Sequence, residues 1–141
     1  QQDLAAVGVR VEIVVRDAPA VRAAGRNGGA DRYLGDWYAD SPDPENFTFP
    51  LFHSANRGPG GNYAFLADSA LDAAIMRARI TPDSQEKARL SREIDARVFE
   101  LAPWIFLWFP VDMWAMRPEV EGWRIPLVVT GQRWTGVHIV R

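Results

Sequence analysis

Residues 34–47 constrain the fold of this chain more than any other stretch. They begin as the end of an apolar strand and break into a loop holding Pro42 and Pro44, neither of which can donate to a strand ladder. The strand end carries Trp37 and Tyr38. Four carboxylates follow or flank them, Asp36, Asp40, Asp43 and Glu45, with no Lys or Arg between. In open α/β sheets, ligands bind beyond the carboxyl ends of strands, so a strand that delivers aromatics and carboxylates to that edge is a candidate site.

The residues before this stretch predict a βαβ unit. Val9, Val11, Ile13 and Val15 alternate with Arg10, Glu12, Val14 and Arg16, the period of a half-buried strand. Asp17 can cap a helix with Pro19 in its first turn, and Gly25, Gly28 and Gly29 end it. Residues 31–37 then read as a second strand, parallel to the first through a right-handed crossover. Residues 1–8 read as the last two turns of another helix, stopped at Gly8. A natural N-terminus seldom starts so, and a fragment or processed form of a longer protein is expected.

Downstream, residues 47–53 suggest one helical turn, and residues 56–62 a flexible loop rich in glycine. That loop lacks the Lys-Ser/Thr pair of a phosphate loop. A helix starts at Asp68 or Ser69, with Ser69 and Asp72 spaced as a capping box and Leu71, Ala74, Ile75 and Ala78 as its buried stripe. Thr81 and Pro82 predict the start of the next, buried through Leu90, Ile94, Val98 and Leu101, with Glu93 and Arg97 paired outside. After Pro103, residues 104–109 are apolar on both faces, as a central strand would be. Residues 111–116, 127–129 and 137–140 are further strand candidates, with Gly122, Trp123, Gly131 and Gly136 as punctuation.

Composition narrows the function. The 141 residues suit one domain, and 48% hydrophobic with 24% charged residues is an ordinary globular balance. A net charge of -2 with 16 scattered Lys and Arg argues against nucleic acid. No apolar run approaches the roughly 20 residues of a membrane helix, so no direct membrane insertion is expected. Cysteine is absent, and the two histidines, His53 and His138, lie in no ligand spacing, so neither metal nor other cofactor is expected. Ser54 follows His53, but no Gly-x-Ser-x-Gly elbow is present. Asp40 with Asp43, or Asp43 with Glu45, could form a hydrolytic pair, although Asp beside Pro is a common turn former. Most of the six tryptophans should be core, with Trp37 the candidate for a cleft wall.

Taken in order, several segments resemble a known family. They are residues 4–12, the stretch 34–47, Asn62-Tyr63, residues 69–72, Ala78-Arg79, residues 102–107 and residues 120–123. Together they resemble the C-terminal lobe of the extracytoplasmic solute-binding proteins of ABC importers, in the oligopeptide, dipeptide and nickel family (family 5). The resemblance covers residues 4 to about 123. Asp36 stands where the family pattern often has Gly or Ala.

The resemblance implies a fold and a role. The fold would be α/β, one lobe of a bilobal periplasmic-binding-protein-like (type II) architecture, with a mixed sheet flanked by helices. Residues 1–141 would form a single domain of a larger two-lobed protein, with the tail 124–141 a candidate to pack on the missing lobe. The protein would bind a small solute, a short peptide in first place, and pass it to an ABC permease without chemistry on the ligand. It would be a monomer, periplasmic or otherwise extracytoplasmic and membrane-associated. Trp37 would be a cleft wall, the Tyr38 backbone a strand-addition contact, and Asp40 the partner of the ligand's ammonium. A sugar or nickel chelate is the alternative solute, and a hydrolase using Asp40 and Asp43 the alternative class.

Overall fold

Three helices begin on an aspartate, because a carboxylate can accept from the otherwise unpaired N–H groups of a first turn. Asp17 Oδ1 accepts from Ala20 N at 2.8 Å, Asp68 Oδ1 from Leu71 N at 2.7 Å and Asp83 Oδ1 from Glu86 N at 2.7 Å. The computed structural model describes residues 1–111, 113–128 and 133–140. Within them run α1 (Gln2–Ala6), α2 (Ala18–Arg26), α3 (Glu45–Phe52), α4 (Ser69–Ile80) and α5 (Ser84–Leu101). Two short 3₁₀ turns, Ser54–Asn56 and Gly58–Gly60, link α3 to α4. Strands β1 (Val120–Glu121) and β2 (His138–Ile139) pair antiparallel, Val120 opposite Ile139.

The caps refine the expected helix starts. Of the two candidates for α4, Asp68 is the cap, and Asp72 turns away from a capping box to bind Ser54. Helix α5 starts after Asp83, two residues beyond the expected Thr81. Thr81 instead ends α4, its hydroxyl donating to Arg77 O at 2.7 Å. Arg97 does not pair with Glu93. It binds Asp68 at 2.8 Å and Glu100 at 3.3 Å, while Glu93 faces Arg89 and Arg77.

The core lies where α3, α4 and α5 meet. Leu51 and Phe52 of α3, Leu71, Ile75 and Ala78 of α4, and Leu90, Ile94 and Val98 of α5 form one buried cluster. The spacing of the last two sets is the helical one that the sequence predicts. Trp37, Phe49, Leu66, Leu101 and Trp104 pack round its edge. Ala102 at φ +47°, followed by Pro103, stops α5.

The loop that composition suggests is flexible is a built structure. Asn62 is fully buried at 0% exposure. Its Nδ2 donates to His53 O at 3.2 Å and Leu66 O at 3.0 Å, and its Oδ1 accepts from Leu66 N at 3.1 Å. Gly61 at φ +121° lies so near α3 that a Cβ would sit 2.9 Å from Pro50 O. Its glycine fits a close approach, not mobility.

The strand expectations fare differently. Residues 9–16, 31–37 and 104–109 form no strand, and none has a strand partner among the described residues. The expected parallel βαβ pairing is therefore not formed, and the sheet content is the small β1–β2 ribbon. The alternation that marks a strand says which face is apolar but supplies no neighbour to bond with. Val15 at 89% and Phe109 at 97% exposed illustrate the result. Nor are the tryptophans core residues: Trp37, Trp104 and Trp123 are half-buried, and Trp108, Trp114 and Trp134 are exposed. Trp104 reaches the core by an edge contact with Phe52, and Trp114 lies 4.9 Å from Trp123. The 137–140 expectation contains β2. Asp112 in 111–116, Val129 in 127–129 and Gly131 lie outside the described residues.

Candidate functional site

The site is organised by the turn between residues 36 and 46. Gly35 permits its entry, since a Cβ there would meet the Tyr33 ring. Tyr33 itself packs edge-on against Tyr63 at 5.6 Å. Burial first, then the neighbouring Tyr63 and the Asp36 charge, push the Tyr33 phenol above its ordinary value, so it stays neutral.

Trp37 lies with one side on the core cluster. Its indole Nε1–H donates to Asn46 O at 2.8 Å, which fixes the ring plane. Tyr38 points outward at 45% exposure, and Asp40 is exposed. The Asp40 backbone N–H donates to Asn46 Oδ1 at 2.8 Å. The structure thus brings Trp37, Tyr38 and Asp40 to one turn, with Trp37 half-buried and Tyr38 and Asp40 at the surface.

The other two carboxylates of the stretch do different work. Asp43 Oδ1 accepts from Glu45 N at 2.9 Å, and its Oδ2 pairs with Lys87 of α5. The Lys87 hydrogen bond, helped by the Glu45 N–H, holds the Asp43 carboxyl below its ordinary value. Glu45 meets Arg79 of α4 at 2.7 Å, and the Arg79 guanidinium lies 4.0 Å from the centre of the Phe49 ring. These contacts moor the start of α3 to both neighbouring helices. A carboxylate committed to a lysine and to a turn N–H is poorly placed as a hydrolytic acid or base. The turn-forming role of Asp43 and Glu45 is what the geometry displays.

Sequence reasoning gave no role at this turn to Asn46, Lys87 or Arg79, the last of which it noted only within the Ala78-Arg79 segment. Asn46 touches residues six and nine positions back, and the two cations come from helices more than thirty residues on, so no local spacing announces them. His53, Ser54 and Asp72 do converge. Ser54 donates through its hydroxyl and its N–H to Asp72, while His53 Nδ1 accepts from Ala55 N at 3.1 Å. The serine is thus bonded to the carboxylate and not to the imidazole, and the imidazole acceptor is occupied by backbone. This is a link between the 3₁₀ turn and α4, not the relay of a nucleophile. Among the described residues, no cluster of three His, Asp or Glu could hold a metal ion, and no helix is long and apolar enough to cross a membrane.

No protein-family model matches the chain. Individual proteins do. Di/tripeptide-binding protein 2 of Pseudomonas aeruginosa is 33% identical over 125 residues, covering 89% of this chain and 24% of that protein. Heme-binding protein A of Haemophilus influenzae is 30% identical over 121 residues, covering 86% of this chain and 22% of that protein. Over most of its length the chain is homologous to family 5 substrate-binding proteins of ABC importers. It spans about a quarter of the length of these relatives. The structure of HbpA2 from Haemophilus parasuis matches the fold over 100% of this chain and 27% of its own, with a TM-score of 0.70 at 24% identity. The fold is therefore a helix-rich portion of the type II periplasmic-binding-protein architecture. Family 5 proteins are carriers of solutes and not enzymes, which agrees with the engagement of Asp43 by Lys87.

Proposed function

We propose that this chain is one lobe of a two-lobed, monomeric, extracytoplasmic binding protein that delivers a short peptide to an ABC permease. Asp40 receives the peptide's N-terminal ammonium, Trp37 walls the cleft, and the Tyr38 backbone adds to the ligand main chain. The observation that carries this reading is the shared hold of Asn46 on Trp37 and Asp40, which presents an aromatic face and a carboxylate from one rigid turn. A carboxylate facing an ammonium in a closed cleft makes a charge-assisted hydrogen bond, and main-chain pairing tolerates many side chains. The relative from Pseudomonas aeruginosa, named for di- and tripeptides, supports a peptide ligand.

A second reading is another solute in the same cleft. It is favoured by the relative named for heme, at nearly the same identity. Calorimetric titration of the full-length protein with alanyl-alanine, trialanine and heme separates the two. Saturable binding of the peptides is expected. Saturation by heme with no heat from either peptide would overturn the peptide reading.

A further inference from the structure

We propose that Asn46 is the positioning residue of this site, an inference that rests on the peptide reading above and deepens it. Its two oxygens do separate jobs. The main-chain O accepts the Trp37 indole N–H, and the side-chain Oδ1 accepts the Asp40 backbone N–H, each at 2.8 Å. The amide orientation is forced, because only an oxygen can face the Asp40 donor. One residue therefore sets both the tilt of the wall and the backbone from which the carboxylate projects.

Asn46 is in turn immobilised. It occupies the second position of α3, between Glu45, which is bound to Arg79, and a helix whose end is buried through Leu51 and Phe52. Its own N–H donates to Asp43 O at 3.0 Å, and Asp43 is bound to Lys87. The turn that carries Trp37 and Asp40 is thus referenced to α4 and α5 through Asn46, by its main-chain O and its carboxamide. Preorganisation of this kind lowers the ordering cost at the moment a ligand binds.

The test uses Asn46→Ala, which removes the acceptor for Asp40, and Asn46→Asp, which keeps one. Neither touches the main-chain bond to Trp37, so each variant is its own control for the wall. In the full-length protein, Asn46→Ala should weaken alanyl-alanine roughly five- to tenfold, the range of one hydrogen bond, and leave N-acetyl-alanyl-alanine unchanged. Asn46→Asp should recover most of that loss. Independently of any ligand, the Asp40 amide should exchange with solvent faster in Asn46→Ala than in wild type, and at the wild-type rate in Asn46→Asp. Unchanged Asp40 exchange in Asn46→Ala would overturn the inference. So would a loss of alanyl-alanine affinity in Asp40→Asn that Asn46→Ala does not share, with the ammonium reading left standing. Equal peptide affinity in wild type and Asp40→Asn would instead overturn the ammonium reading, and the exchange measurement would still decide the role of Asn46.

Discussion

Asn62 is the residue on which the middle of the chain turns. Its side chain is fully buried at 0% exposure, and its carboxamide serves the carbonyls of His53 and Leu66 and the Leu66 N–H. Replacing it with Ala leaves those groups without their partner in a space too tight for easy repair. Asn62→Ala is expected to lower stability by about 1–3 kcal/mol, read as a shift in the urea midpoint at unchanged slope. Asn62 and Asn46 also mark the limit of what single residues disclose. The caps Asp17 and Asp68 are legible because a cap acts three residues ahead, within one sequence window. An asparagine that binds six or nine residues back reads only as a turn former until its partners are known.

Helices α3, α4 and α5 form because their apolar positions recur at the helical period and meet in one cluster. Leu90 is fully buried at 0% exposure, so Leu90→Ala should cost about 2–5 kcal/mol, measured by thermal or urea unfolding. The mooring of α3 to α5 carries a pH dependence. Asp43 has a folded-state pKa below its ordinary 3.8 because of Lys87 and the Glu45 N–H. Its contribution to stability is therefore present above that ordinary value and is lost as pH falls through the depressed folded value. Wild type should lose stability across that acid window, and Lys87→Met should lose less of it, as read by urea unfolding at stepped pH. An identical acid loss in both proteins would mean the pair contributes nothing. Helices were legible in the sequence at this scale because their bonds are internal. Residues 9–16 and 104–109 read as strands in the sequence but form none among the described residues, because a strand's bonds belong to a neighbour the segment itself does not specify.

At the scale of the molecule, a buried core contrasts with exposed apolar side chains. The core lies where the three helices meet. Outside it, Ile105, Phe106, Leu107, Trp108 and Phe109 are exposed, as are Val15 and Leu34. Exposed apolar surface of this extent usually marks an interface, in agreement with a lobe of a larger binding protein. Residues 1–141 alone should then give no calorimetric peptide signal at concentrations that saturate the full-length protein. Equal affinity of the two would rule out a clamp in which the second lobe completes the cleft. The family resemblance was readable from the order of short motifs, and similarity to the binding proteins of Pseudomonas aeruginosa and Haemophilus influenzae bears it out. The ligand was not readable, because most of a cleft's chemistry lies in contacts outside any one segment.

The proposed role of Asp40 is to bind charge in a peptide ligand. It is tested most directly by titrating the full-length protein and its Asp40→Asn variant with alanyl-alanine and with N-acetyl-alanyl-alanine. Loss of a charge-assisted bond should weaken the free-amine dipeptide by roughly ten- to a hundredfold and leave the acetylated one nearly unchanged. Equal affinity of both proteins for alanyl-alanine would rule out that role.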